Sequence, residues 1–72
     1  MMTLITDTNE YTFNTREEVV AKANELALEA KEYVTFDYEE DDVYFGFGSC
    51  GYLTIETFNS YVEEEKELLA NN

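Results

Sequence analysis

Apolar positions recur along this chain with two different periods. Val34, Phe36 and Tyr38 alternate with Thr35 and Asp37, and Val43, Phe45 and Phe47 alternate with Tyr44, Gly46 and Gly48. A period of two belongs to a strand with one apolar face, so both segments are predicted as strands. Between them lie Glu39-Glu40-Asp41-Asp42, an acceptable hairpin loop, which makes the two strands antiparallel neighbours. Thr3-Leu4-Ile5-Thr6 and Tyr11-Thr12-Phe13 are shorter β-prone runs around the turn-like Asp7-Thr8-Asn9-Glu10, and form either an N-terminal hairpin or a strand and an arm.

From Arg16 to about Tyr33 the period lengthens. Val19, Ala23, Leu26, Ala27 and Ala30 gather on one side of a helix whose start is marked by two overlapping capping boxes, Asn14 with Glu17 and Thr15 with Glu18. Opposite them Glu18, Lys22, Glu25, Glu29 and Glu32 recur at three- and four-residue steps in a stripe about 21 Å long. Glu18 and Lys22 are spaced for one favourable pair, while Glu25, Glu29 and Glu32 repel along the same line. Beyond the glycines, Tyr52 to Phe58 fits either a third strand or a helix capped by Thr54 with Ile55, Phe58, Val62 and Leu69 on one face. Ser60 to Ala70 is helical in both cases, with Ser60 and Glu63 spaced as another capping box. The pattern predicts one α+β domain over residues 1–72. A small antiparallel sheet of about three strands packs on one long amphipathic helix, with a second helix at the C-terminus.

Composition sharpens this picture. Hydrophobic residues make up 44% of the 72, and eleven are aromatic, too many for a disordered acidic tail and enough for a small core. Against 17 Asp and Glu stand only Arg16, Lys22, Lys31 and Lys66, a net charge of -13. Solubility in a small domain is served by a magnitude of about 2 to 8, and self-repulsion beyond that destabilises the compact state. The single cysteine, Cys50, allows no intramolecular disulfide, and the absence of histidine excludes a Cys/His zinc site. With no basic segment followed by an apolar run after Met1-Met2, and no apolar stretch near eighteen residues, the chain is expected to be untargeted and cytoplasmic, without a membrane partner.

Several motifs suggest chemistry and fail on their surroundings. Gly46-Phe47-Gly48-Ser49-Cys50-Gly51 matches G-x-G-x-x-G, but only 21 residues follow, too few for the second parallel strand of a dinucleotide fold, and acids flank the loop. The glycines read better as places where another element comes close to the strand, filled by a helix or by an aromatic such as Tyr52. Phe45 to Phe47 resembles the core strand of an RNA-recognition motif without its basic residue, so backbone electrostatics would repel nucleic acid. Asp37, Glu39 and Asp41 fall at positions 1, 3 and 5 of a calcium loop, but Asp42 stands where glycine is needed and Gly48 where the bidentate glutamate belongs. No histidine supplies a base, Cys50 has no neighbouring cation in sequence, and the chain is short for a cleft around a paired-carboxylate centre. No catalytic residue, cofactor or specific metal is expected.

What remains is the charge. A domain of this length has a radius of gyration near 11 Å, so it is roughly 28 Å across, and duplex DNA of that length carries on the order of 16 phosphates. The partner such a surface suits is a basic nucleic-acid-binding protein. In size and acidic composition the chain resembles the small DNA-mimic inhibitors that phages direct against host nucleases, the anti-CRISPR and anti-restriction class. That resemblance implies a stoichiometric inhibitor of a host nuclease or CRISPR effector, working in the host cytoplasm. The candidate partner-binding residues are Asp37, Glu39, Glu40, Asp41 and Asp42 of the loop, Glu25, Glu29 and Glu32 of the stripe, and Glu63 and Glu64 of the last helix. Tyr38 and Tyr44 add desolvated contact area. The alternatives are an antitoxin-like regulatory module on some other basic protein, and a halophilic surface, which predicts folding only in molar salt.

Overall fold

The computed structural model describes residues 1–71. Six elements follow one another: β1 (Met2–Ile5), β2 (Glu10–Phe13), α1 (Arg16–Ala30), β3 (Val34–Glu40), β4 (Val43–Ser49) and α2 (Ile55–Ala70). The architecture is α+β, with four antiparallel strands in the order β2-β1-β3-β4 rather than about three. The extra strand comes from the N-terminus, where the hairpin alternative is the one adopted. Thr6 closes its turn, its N–H donating to Asn9 O at 2.8 Å and its hydroxyl accepting from Asn9 N at 3.0 Å. β1 then pairs with β3, Leu4 opposite Tyr38, which leaves Leu4 fully buried.

Thr15 caps α1. Its side chain accepts from Glu18 N while Glu18 reaches back to the Thr15 backbone, so the second of the two overlapping boxes is formed. The helix stops at Ala30, short of Tyr33, because Lys31 takes a left-handed φ of 59° and donates its N–H to Ala27 O. At the C-terminus the helix alternative holds. Thr54 accepts from Thr57 N and α2 starts at Ile55, so Tyr52 to Phe58 is not a strand. Ser60 lies inside α2 and donates to Glu56 O at 3.1 Å instead of capping.

Strand alternation puts Leu4, Phe36, Tyr38, Val43, Phe45 and Phe47 on one sheet face, where Val19, Val20 and Ala23 of α1 and Phe58 and Val62 of α2 cover them. The Phe58 ring meets Tyr38 and Phe47 edge-on, with centroids 4.9 and 5.1 Å away. Burying each such side chain contributes about 1.5–3 kcal/mol, the main offset to a repulsive surface. Both helices lie on this face. The opposite face is bare, with Thr12, Thr35, Asp37, Glu39, Tyr44 and Gly46 exposed along it. A Cβ at Gly48 would run into the Tyr33 ring, so Tyr33, and neither a helix nor Tyr52, occupies that space, while a Cβ at Gly46 would make only ordinary contacts, with Asp37 Oδ1 and Phe36 O at 3.6 Å. Gly51 lies beyond the strand with φ 113°, a conformation that side chains rarely adopt.

The link from β4 to α2 is held by one amide. Asn24 of α1 accepts from Ser49 Oγ at 2.6 Å and Leu53 N at 2.9 Å, and donates to Leu53 O at 2.9 Å. Ser49 Oγ in turn accepts from Gly51 N at 2.9 Å. Replacing Asn24 with alanine leaves two backbone groups and a hydroxyl without partners, so a loss on the order of 2–4 kcal/mol is expected. Urea denaturation at fixed pH measures it, and a loss below about 0.5 kcal/mol would mean that the link does not depend on this amide.

A candidate acidic interface

The acids divide between two sides of the molecule. Along β3 the alternation that buries Phe36 and Tyr38 turns Asp37 and Glu39 onto the bare sheet face, Asp37 opposite Gly46 and Glu39 opposite Tyr44. Across β1 the same register sets Ile5 between Asp37 and Glu10. The loop is tighter than four residues. Glu40 pairs with Val43, leaving a two-residue turn of Asp41 and Asp42 in which Asp41 takes φ 54°. Aspartate tolerates this left-handed position better than most side chains. Asp37, Glu39, Asp41 and Asp42 thus share one face and its tip with Tyr44, which is 58% exposed. Glu10 belongs to the same face and was not among the predicted residues; its place depends on β2 joining the sheet.

The helical acids lie on the other layer. Glu25 and Glu29 are exposed on α1, and Glu63 and Glu64 on α2, whereas Glu32 falls beyond the end of α1 and leaves the stripe. Lys22 pairs with Glu25 at 2.7 Å rather than with Glu18, and its ammonium lies 5.0 Å from the centre of the Tyr11 ring.

Two predicted contact residues are withdrawn from any partner. Tyr38 is fully buried and Glu40 is only 4% exposed. Both point inward because the alternation of Val34, Phe36 and Tyr38 continues to the end of β3, which carries Glu40 to the rim of the core. Arg16, the first residue of α1, holds it with two hydrogen bonds, Nε to Oε1 at 2.8 Å and Nη2 to Oε2 at 2.6 Å. Tyr38 donates to Oε1 at 2.6 Å, and Lys66 of α2 stands 3.2 Å from Oε2. The remaining arm of Arg16 donates to Asn59 Oδ1 at 3.0 Å. One carboxylate therefore joins β3, α1 and α2.

These contacts set the charge states. The hydrogen bonds from Arg16 hold the Glu40 carboxyl down to about 2; burial opposes them, and Tyr38 and Lys66 reinforce them. Burial, followed by the bond to anionic Glu40, pushes the Tyr38 phenol well above its ordinary value.

Glu40 also governs the rest of the surface. It takes up two of the four cations, and Lys22 is held by Glu25. Lys31 makes no ion pair among the described residues. Fifteen of the seventeen acids are exposed, on a body extending 38 × 21 × 19 Å. A duplex 38 Å long carries about 22 phosphates at ~1.7 Å per charge, so the two charge densities are of one order.

An open depression of about 360 Å³ lies on the bare face between Tyr33, Ile5, Asp37 and the two strand glycines. Gly46 and Gly48 stand inside β4 and not in a strand-to-helix turn, so they form no phosphate cradle. Among the described residues no group of three or more acids or thiols converges as a metal site, and no helix is long and apolar enough to cross a membrane. No protein-family model matches the chain, and neither curated proteins nor solved structures contain a significant match to it.

Glu40 predicts an acid limb. Its folded-state pKa lies below the ordinary value of 4.5, so the stability it contributes is fully present above that value and is lost as pH falls toward about 2. The amount is on the order of 3 kcal/mol at neutral pH, since each tenfold change in proton affinity corresponds to about 1.4 kcal/mol. Thermal melts from pH 6 to pH 2 will show a steeper fall for the native chain than for Glu40→Gln, and parallel curves would contradict the assignment.

Proposed function

We propose that this protein is a stoichiometric inhibitor that presents nucleic-acid-like charge and occupies the basic nucleic-acid-binding site of a host defence nuclease, as an anti-CRISPR protein does. The observation that carries the reading is the exposure of fifteen acids on a compact body in which two of the four cations are drawn to a single buried carboxylate. A cation left free among these acids would weaken the field at its own position. With Arg16 and Lys66 committed to Glu40, the bare sheet face presents Asp37, Glu39, Asp41 and Asp42 with no basic residue in β3 or β4. Such a surface speeds association with a basic groove and makes it strongly salt-dependent. Tyr44, across from Glu39, supplies apolar area that a phosphate row lacks.

Capture of partners from a bacterial lysate, followed by titration with duplex DNA, tests the reading. DNA is expected to release the captured protein, whereas retention at saturating DNA rules out a shared site. In the same system, changing Asp37, Glu39, Asp41 and Asp42 together to Asn or Gln is expected to slow association at least about tenfold at low salt. Glu40 is left intact so that folding is preserved. An unchanged rate removes the sheet face from the interface and transfers the role to the helical acids.

A further inference from the structure

The outer edge of β4 is a strand edge with none of the usual protection. β4 is the last strand of the sheet, seven residues long and paired in unbroken register with β3. Natural edges of this length are blunted by lysine, proline or a bulge, and Val43–Ser49 contains none of them. The other edge, β2, has only four residues. In a two-residue hairpin the closing pair, here Glu40 with Val43, exchanges both hydrogen bonds, and the alternation of antiparallel pairing follows from it. Val43, Phe45, Phe47 and Ser49 therefore bond to β3, while the N–H and C=O groups of Tyr44, Gly46 and Gly48 turn outward.

A groove of about 250 Å³ runs beside this edge, lined by Tyr33, by β4 from Phe45 to Gly48, and by Tyr61, Glu64 and Glu65 of α2. Gly46 offers no side chain to hold off a neighbouring backbone, and its φ lies outside the left-handed range, so the glycine is not required by the fold itself. Charge identifies the occupant. Glu64 and Glu65 line the groove, Asp37 and Glu39 flank it on the sheet face, and Asp41 and Asp42 close the tip. Lys66, the nearest cation on α2, is turned to Glu40. A second copy of a chain with net charge -13 is repelled from such an edge.

We propose that β4 receives an extended basic segment of the partner protein as a fifth, antiparallel or parallel strand. Main-chain hydrogen bonds to Tyr44, Gly46 and Gly48 fix the segment, and alternate Lys or Arg side chains reach Glu64 and Glu65 on one side and Asp37 and Glu39 on the other. The proposal rests on the partner being basic but not on inhibition, so it is tested without the partner.

The probe is a capped peptide of about seven residues alternating Lys and Val, with a Lys-Pro peptide of equal charge as control, since proline removes the pairing N–H groups. At low salt the Lys-Val peptide is expected to slow amide exchange at Tyr44, Gly46 and Gly48 by about tenfold or more, leaving the β2 amides unchanged, and to bind more tightly than the control. Gly46→Pro, which removes an outward N–H, is expected to weaken binding at least about tenfold, and Gly46→Ala, whose Cβ makes only ordinary contacts at 3.6 Å, less than about twofold. Equal binding of both peptides, or unchanged exchange at the three amides, overturns strand addition and leaves only diffuse charge attraction. A concentration-dependent dimer that Gly46→Pro abolishes also overturns the proposal, because the occupant is then a second copy. Failure of DNA to displace a captured partner would refute the inhibitor reading and leave these results standing.

Discussion

The fold turns on a carboxylate at the rim of the core. Glu40 ends β3, Arg16 begins α1 and Lys66 lies in the second half of α2, and the three meet with the Tyr38 hydroxyl at hydrogen-bonding distances. Burying an ion is expensive, and the attraction offsets that cost only when geometry is good and the remaining lone pairs are satisfied. Here both oxygens are bonded and no buried side-chain polar atom among the described residues lacks a partner. The cluster also penalises a misregistered β3. A slip of one residue would expose Glu40, bury Glu39 or Asp41 without a cation, and turn Phe36 and Tyr38 to solvent.

That arrangement links the interior to the surface. The two cations that satisfy Glu40 are withdrawn from a chain with very few, and the remaining acids face outward with little compensation. Repulsion among them is opposed by the aromatic cluster of Tyr38, Phe45, Phe47 and Phe58, whose ring centroids lie 4.9 to 6.4 Å apart. Both helices lie on the cluster side, so the sheet's other face is left to the outward residues of the same strands. The interior and the acidic face are opposite sides of one alternation.

Much of this was legible as periodicity. The antiparallel pair β3 and β4, the start of α1 near Asn14 and Thr15 and the helical C-terminus follow from patterns within a few residues of each other. What did not follow were choices between locally equivalent options. Thr15 and Asn14 both offered a capping box, and Thr54 competed with Ser60 as the start of the last helix. Burial of Phe58 favours Thr54, since Phe58 and Val62 must face the sheet together. The N-terminal hairpin became two strands of the main sheet because Leu4 finds its burial only against Tyr38 and the helices.

The candidate site divides along the same line. Alternation alone placed Asp37 on the outward face, and the same parity, carried two residues past Tyr38, could have placed Glu39 beside it and Glu40 inside; reading the run of four acids as a loop obscured both. By itself the sequence determined the sign and density of the charge, the absence of histidine, and the period that sorts inward from outward residues, because these depend only on residue type and spacing. Only the tertiary structure decided which acid is buried and which cations it takes, that Tyr38 is core and Tyr44 surface, and that β4 is an open edge beside acids of α2. Those outcomes depend on residues distant in sequence, such as Arg16 and Lys66, each coming within 4 Å of Glu40.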